Sequence, residues 1–249
     1  MSEVLLDKDQ WSCFVKVLDE IGKNCTDVDI YEGKIRQTNN SKTTVYCYEF
    51  PFNINLKIAL VKNIVPLLKM FTPQTEDDKV SIITETDKYI IKDKYSTITI
   101  HSTMNVENEY ISDDKFKTIG FETGFDIFDF ELPEIVYGRI SVIKNNFSSV
   151  TLKLEISEKA SLRITSWSKT MNSNIYSNID VSNDCPDELR KTFVCGTDAF
   201  DISLEGNIRF TFRNTDSKIQ VLKLQGNFQD RPMTLYVRAM PDDKSISQT

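Results

Sequence analysis

The sequence has a single histidine, His101, and no two cysteines at CxxC spacing. A zinc site of ordinary type takes four His, Cys or carboxylate ligands, so none can be assembled from sequence neighbours. Phosphate-cradling loops are missing as well. Neither GxGxxG nor GxxxxGKS/T occurs, and HExxH and GxSxG are also absent. Those absences exclude motif-based readings as a dinucleotide-binding protein, a P-loop ATPase, a zinc protease or an esterase. No metal or other cofactor is expected. No apolar run approaches the roughly 20 residues that span a bilayer. The start, "MSEVLLDKDQ", lacks the basic-then-apolar layout of a signal peptide. The five cysteines, Cys13, Cys25, Cys47, Cys185 and Cys195, are scattered and odd in number, which fits reduced thiols in a cytosol. A cytoplasmic protein with no membrane contact is expected, in the host cytoplasm if it is viral.

Basic charge is also short. Against 37 acidic residues stand 30 lysines and arginines, for a net charge of -7 and a pI near 5.0. A protein that grips phosphates over its whole surface should be basic, so any nucleic-acid contact must be local. With 8 glycines, 7 prolines and a 40% hydrophobic fraction, 249 residues form an ordinary globular chain. That length allows one large domain or two of roughly 100–150 residues.

Hydrophobic periodicity then orders the chain. In "DKDQWSCFVKVLDEIGK" (7–23), Trp11, Phe14, Val15, Leu18 and Ile21 fall on one helical face, and Lys16 and Lys23 on the other, along with Asp9 and Glu20. Strands follow at 27–38, 42–50 and 52–60. "VKNIVPLLKMF" (61–71) predicts a second helix capped by Asn63, with Pro66 in the first turn. Ile64, Leu67, Leu68 and Phe71 form its apolar face, and Lys62 and Lys69 share the other. Strands run from 78 to 102, ending in the alternating "STITIHS" (96–102). "TMNVENEYISDDKFKTIG" (103–120) is polar, acidic and without period, and reads as a connector. A second half repeats the order: a strand near 121–130, a helix over 132–146 with Arg139 and Lys144, strands at 148–157, 160–167 and 172–182, and an extended 190–196. A short fourth helix, "TDAFDIS" (197–203), and three closing strands complete it. The fold class is α+β, with domains at 1–103 and 121–249 joined by 104–120.

Nothing in the chain resolves into a catalytic constellation. Asp126, Asp129 and Glu131 could be paired carboxylates, but they alternate with Phe125, Ile127, Phe128 and Phe130 as in a strand with one wet face. His101 reads as an exposed strand-end residue rather than half of a Cys–His dyad. The helix lysines stand out by position, although solvated helix faces commonly carry lysine.

Two similar halves, each with two helices backed by antiparallel sheet and joined by an acidic connector, resemble the DNA sliding clamps. The resemblance is closest to the T-even-type bacteriophage clamps and more distant to the proliferating-cell-antigen clamps. It rests on "DDKVSIITETDKYIIKDKYSTITIHST", "FDFELPEIVYGRISVIKNNFSSVTLKLEI", "KTFVCGTDAFDIS" and "KLQGNFQDRPMTLYVRAMPDD", and the element order matches over nearly the whole chain. It implies a non-catalytic homotrimer closed head to tail, helices inside and sheets outside. The ring would be placed around duplex DNA by an ATP-driven clamp loader and would tether a DNA polymerase. Lys16, Lys23, Lys62, Lys69, Arg139 and Lys144 would line the hole. The fourth helix departs from that pattern, since it offers Asp198 and Asp201 and no lysine.

In such clamps the last strand before the connector lies at the edge of the first domain and pairs with an edge strand of the neighbouring subunit. That assigns Ser96, Ile98, Ile100 and His101 to an interface with Asn174, Ile175, Tyr176 and Ile179. A partner-peptide groove is expected at Val106, Tyr110 and Ile111 of the connector with Met240 and Pro241. The rival readings are a monomeric DNA-binding processivity factor, a β-rich virion structural protein and an enzyme using acidic residues.

Overall fold

The structure is a computed structural model. It describes residues 2–75, 77–86, 88–101, 109–146, 152–156, 161–168, 173–180, 193–195, 200–215 and 220–239, with the backbone alone for 127, 128, 141, 143–146 and the segments between 152 and 195. The chain divides into two compact units. The first comprises Met1–Lys42, Tyr46–Ser112 and Phe228–Met233, and the second Thr43–Val45, Asp113–Asn227 and Thr234–Thr249.

In the first unit, β1 (Ser2–Leu6), β6 (Val80–Thr84), β7 (Lys88–Lys92) and β8 (Thr97–His101) form an antiparallel sheet in the order β1-β6-β7-β8. β5 (Leu56–Ile58), β2 (Val28–Tyr31), β3 (Lys34–Thr38) and β4 (Thr44–Glu49) follow one another in a second sheet. β1 is an addition to the expected elements. Only Leu6 of "SEVLL" is buried, so its sequence carries no alternation to read. β5 is three residues long where the expected strand ran over 52–60.

Helix α1 (Lys8–Ile21) starts at a capping box, in which Asp7 Oδ1 accepts from Gln10 N–H and Gln10 Oε1 from Asp7 N–H. Trp11, Phe14, Val15, Val17, Leu18 and Ile21 are buried. Phe14 packs its ring against Phe50 and Phe52, and Trp11 Nε1 donates to Phe71 O at 2.7 Å. Gly22 ends the helix where a Cβ would lie 2.9 Å from Val61 Cγ1, so only glycine lets the next helix approach this closely.

That helix, α2 (Val61–Leu68), corrects the expected cap and the expected face. Its N-cap is Leu60, held in the left-handed region at φ 53°, not Asn63. The helix start is satisfied from outside: Asp27 Oδ1 accepts Leu60 N–H and Thr26 O accepts Val61 N–H. Starting three residues early puts Pro66 in the helix interior rather than the first turn. It also rotates the buried face to Val61, Val65, Leu68 and Phe71, leaving Ile64 half-buried and Leu67 exposed.

In the second unit, α3 (Asp113–Ile119) lies within the stretch read as a structureless connector. One apolar residue, Phe116, anchors it against Phe121 and Tyr236. A single anchor leaves no period, although Asp113, Asp114 and Lys117 suit the helix dipole at its two ends. β9 (Phe125–Pro133) leads into α4 (Glu134–Asn146). β10 (Leu152–Ile156), β11 (Ser161–Ser168), β12 (Ser173–Asp180) and β13 (Phe193–Cys195) form an antiparallel sheet in the order β12-β11-β10-β13. β14 (Glu205–Asn214), β15 (Gln220–Phe228) and β16 (Arg231–Arg238) continue in the order β16-β15-β14-β9. Of the expected fourth helix, residues 197–199 lie outside the described residues. Its described remainder is a single 3-10 turn at Phe200 and Asp201, with Phe200 and Ile202 fully buried.

Candidate nucleic-acid interface and open sheet edges

Burial of Trp11, Phe14, Leu18 and Ile21 turns Lys16 and Lys23 outward, and both are exposed. Lys62 and Lys69, one heptad apart on α2, are exposed too. The two helices pack against each other, which brings Lys69 Nζ to 2.8 Å from Asp19 Oδ2 of α1. Lys23 Nζ lies 2.7 Å from Glu20 Oε2. Lys16 Nζ donates to the neutral amide oxygen of Gln229 at 3.0 Å. Lys62 makes no ion pair among the described residues. The lysine surface is therefore one of mixed charge, with two carboxylates set among four ammonium groups.

On α4, Tyr137 and Ile140 are buried, with Tyr137 Oη donating to Ile202 O at 3.0 Å. Arg139 is exposed on the opposite face between Ile135 and Val142, which are 70% and 60% exposed. Arg139 therefore lies on an outward face that also carries two apolar side chains. Lys144 lies in α4, and its side chain is outside the described residues.

β8 and β12 are both edge strands: β8 pairs only with β7, and β12 only with β11, among the described residues. Ser96 is exposed just before β8, Ile98 and Ile100 are half-buried, and His101 is exposed opposite Lys88. Asn174, Ile175, Tyr176 and Ile179 lie on β12 opposite Trp167, Ser166, Thr165 and Leu162. Along β8 the backbone polarity can be worked out. Asp93 N–H donates to Ser96 O at 3.0 Å, and the register continues through Lys92–Thr97 and Ile91–Ile98. Bonded and non-bonded pairs alternate in an antiparallel ladder. The N–H and C=O groups of Ile98 and Ile100 therefore face β7, and those of Thr97, Thr99 and His101 face the open edge.

The connector residues fare differently. Val106, Met240 and Pro241 lie outside the described residues. Tyr110 is anchored in the first unit: its N–H donates to Asp29 Oδ2, its ring stacks on Tyr31, and the Arg36 guanidinium lies 5.9 Å from its centroid. Asp29, nearly buried, is also paired with Lys57 at 3.2 Å. Ile111 is buried, with its N–H donating to Arg36 O.

Two of the three acidic strand residues, Asp126 and Asp129, are occupied by cross-strand cations. Asp129 accepts from Nε and Nη2 of Arg209 at 3.0 and 2.7 Å, and Asp126 pairs with Arg213 at 2.6 Å. Among the described residues, no group of three or more His, Cys, Asp or Glu side chains is placed to hold a metal ion. No helix among them is long and apolar enough to cross a membrane.

No protein-family model and no curated protein matches the sequence. Solved structures do match. The PCNA2–PCNA3 complex from Sulfolobus tokodaii superposes with a TM-score of 0.58 at 14% identity, over 96% of this chain and 99% of that one. Proliferating Cellular Nuclear Antigen from Entamoeba histolytica gives 0.60 at 10% identity, over 96% and 98%. DNA polymerase III subunit beta from Borrelia burgdorferi gives 0.68 at 15% identity, over 97% of this chain and 65% of that one. At these identities the likeness is one of fold, and the chain has the PCNA and beta-clamp fold, antiparallel sheets with few helices.

Proposed function

We propose that the protein is a non-catalytic sliding clamp of the T-even bacteriophage type. It encircles duplex DNA as a homotrimer and tethers a replicative DNA polymerase after placement by a clamp loader. The observation that carries this reading is the clamp fold over 96–97% of the chain. Near-complete coverage of both antigen chains, against 65% of the beta subunit, supports a subunit of the antigen's size and so a ring of three. Two domains, 1–103 and 121–249, are joined by 104–120.

Two features supply the mechanism. Each subunit has an open edge strand in each half, β8 and β12, and unpaired strand edges invite pairing with another chain. Head-to-tail contacts of this kind close into rings. The exposed lysines Lys16, Lys23, Lys62 and Lys69, with Arg139 and Lys144, would face the hole. A ring retains DNA by topology, so its phosphate contacts need only be loose, which suits a net charge of -7. Polymerase docking is assigned to Val106, Tyr110 and Ile111 of the connector, with Met240 and Pro241. Of these, Ile111 is buried and Tyr110 is anchored on Asp29 and Tyr31.

The test is processive synthesis on a primed single-stranded circle with the cognate polymerase and loader. The reading requires product length to rise sharply when the protein is added. Unchanged product length, with the protein monomeric at micromolar concentration, would overturn it.

A further inference from the structure

Resting on the clamp reading, we infer that Asp19 and Glu20 are specificity-setting residues that keep the lysine face from gripping duplex DNA. They hold Lys69 and Lys23 in ion pairs that a passing phosphate must displace. Both pairs are short, at 2.8 and 2.7 Å; the Asp19 side chain is about half exposed and that of Glu20 mostly covered, while both lysines are exposed. Lys16 meets only a neutral amide, and Lys62 has no ion pair among the described residues. Two of the four positive charges on this face are thus paired, and Asp9, exposed one heptad before Lys16, adds a further negative charge.

The placement of the two carboxylates argues against a purely structural purpose. They occupy the last turn of α1, which contains no basic residue. The helix C-terminus carries partial negative charge, so acids there work against the helix. Helix stability alone would favour neutral or basic residues at these positions. What the carboxylates do achieve is local neutralisation of two lysines that nothing else on the face pairs with. The Asp19–Lys69 pair is exposed at both ends, and pairs of that kind are weak. A phosphate oxygen can displace either carboxylate, but it loses most of its advantage in doing so, and the contact stays brief. A lysine released from its carboxylate would hold the phosphate instead, and the ring would slide more slowly.

The experiment compares wild type with D19N, E20Q and the double variant. E49Q serves as a control for net charge: Glu49 is exposed on β4 next to Tyr48, whose hydroxyl meets Cys13 of α1, so Glu49 points to the sheet face away from that helix. Three quantities are read: sliding rate on long DNA, affinity for a short linear duplex as a function of salt, and thermal midpoint. For the double variant, short-duplex affinity at low salt should rise about tenfold, the combined effect of releasing two lysines. The salt slope should steepen by up to about 0.9 per released lysine. Sliding should slow several-fold, and the midpoint should hold or rise. E49Q should change none of these. The inference is overturned if the double variant slides and binds like wild type or like E49Q, or if its midpoint falls with no change in DNA behaviour. If wild type is not retained on circular DNA at all, the clamp reading itself fails, which the first two outcomes leave untouched.

Discussion

Thr99→Pro tests the ring contact more cleanly than any substitution of the half-buried isoleucines of β8. The alternation set by the Asp93–Ser96 bond directs the Thr99 N–H to the open edge, and the Ile98 and Ile100 N–H groups to β7. Proline at 99 removes one outward donor and keeps the internal ladder, and edge strands tolerate proline in that orientation. Proline at 98 or 100 breaks a β7–β8 bond within the chain. A lost strand-pairing bond costs about 0.5–1.5 kcal/mol, and orphaning the partner carbonyl about 1–3 kcal/mol. Each interface should therefore weaken by about 2 kcal/mol, roughly thirtyfold in its dissociation constant. A subunit leaving a closed ring breaks two interfaces, which compounds the effect. Native mass spectrometry at micromolar concentration should give three times the 28.7 kDa chain mass for wild type and the chain mass for Thr99→Pro. The urea midpoint of Thr99→Pro should stay near that of a dissociated wild-type chain, whereas Ile98→Pro should lower it. Persistence of the Thr99→Pro trimer beside an intact wild-type trimer would refute the assignment of β8 to the interface.

Reversing Lys16, Lys23, Lys62 and Lys69 together to Glu should cut loading and processive synthesis on circular primed DNA while native mass and circular dichroism stay unchanged, because all four side chains are exposed. Leu60→Gly should raise the urea midpoint, by about 0.5 kcal/mol of stability, because glycine occupies φ 53° without the roughly 1 kcal/mol penalty of a side chain there. Leu60 is 55% exposed, so little packing is lost, and a lowered midpoint would mean that its side chain does more than fill the turn. Asp78 is held down at about 2 by the Lys94 ammonium and by the N–H groups of Thr75 and Gln74. Its contribution is present above its ordinary value of 3.8 and fades as pH falls through about 2. Asp78→Asn should therefore flatten the stability profile between those two values, read from urea midpoints at stepped pH.

The legible parts of the molecule are those with local signals. Helix α1 was readable because its apolar stripe is continuous, and the outward turn of Lys16 and Lys23 follows from that stripe alone; its capping box became visible only in the structure. Helix α2 was readable as a helix but not in its rotation. Val61, Ile64, Val65, Leu67 and Leu68 make it apolar nearly all round, so period alone leaves the face undetermined. What decides it is Asp27, far away in sequence, capping the chain at Leu60. Edge strands were placed by alternation and order, and their bonding polarity became visible only with the Asp93–Ser96 bond. The Asp19–Lys69 pair could not be read beforehand, because its partners are 50 residues apart and meet only when α1 and α2 pack. β1 and α3 each depend on one buried side chain, Leu6 and Phe116, too sparse for any periodicity.

The central claim is topological retention of DNA, and its most direct measurement is release on linearisation. The protein is loaded onto a nicked circular duplex and freed of unbound molecules by gel filtration, and the circle is then cut once with a restriction enzyme. The account predicts that the protein stays with the intact circle through moderate salt, leaves within minutes of the cut, and binds a short linear duplex poorly throughout. Retention on the cut DNA, or tight salt-sensitive binding to the short linear duplex, would contradict it and point to a monomer that holds DNA by its surface charge.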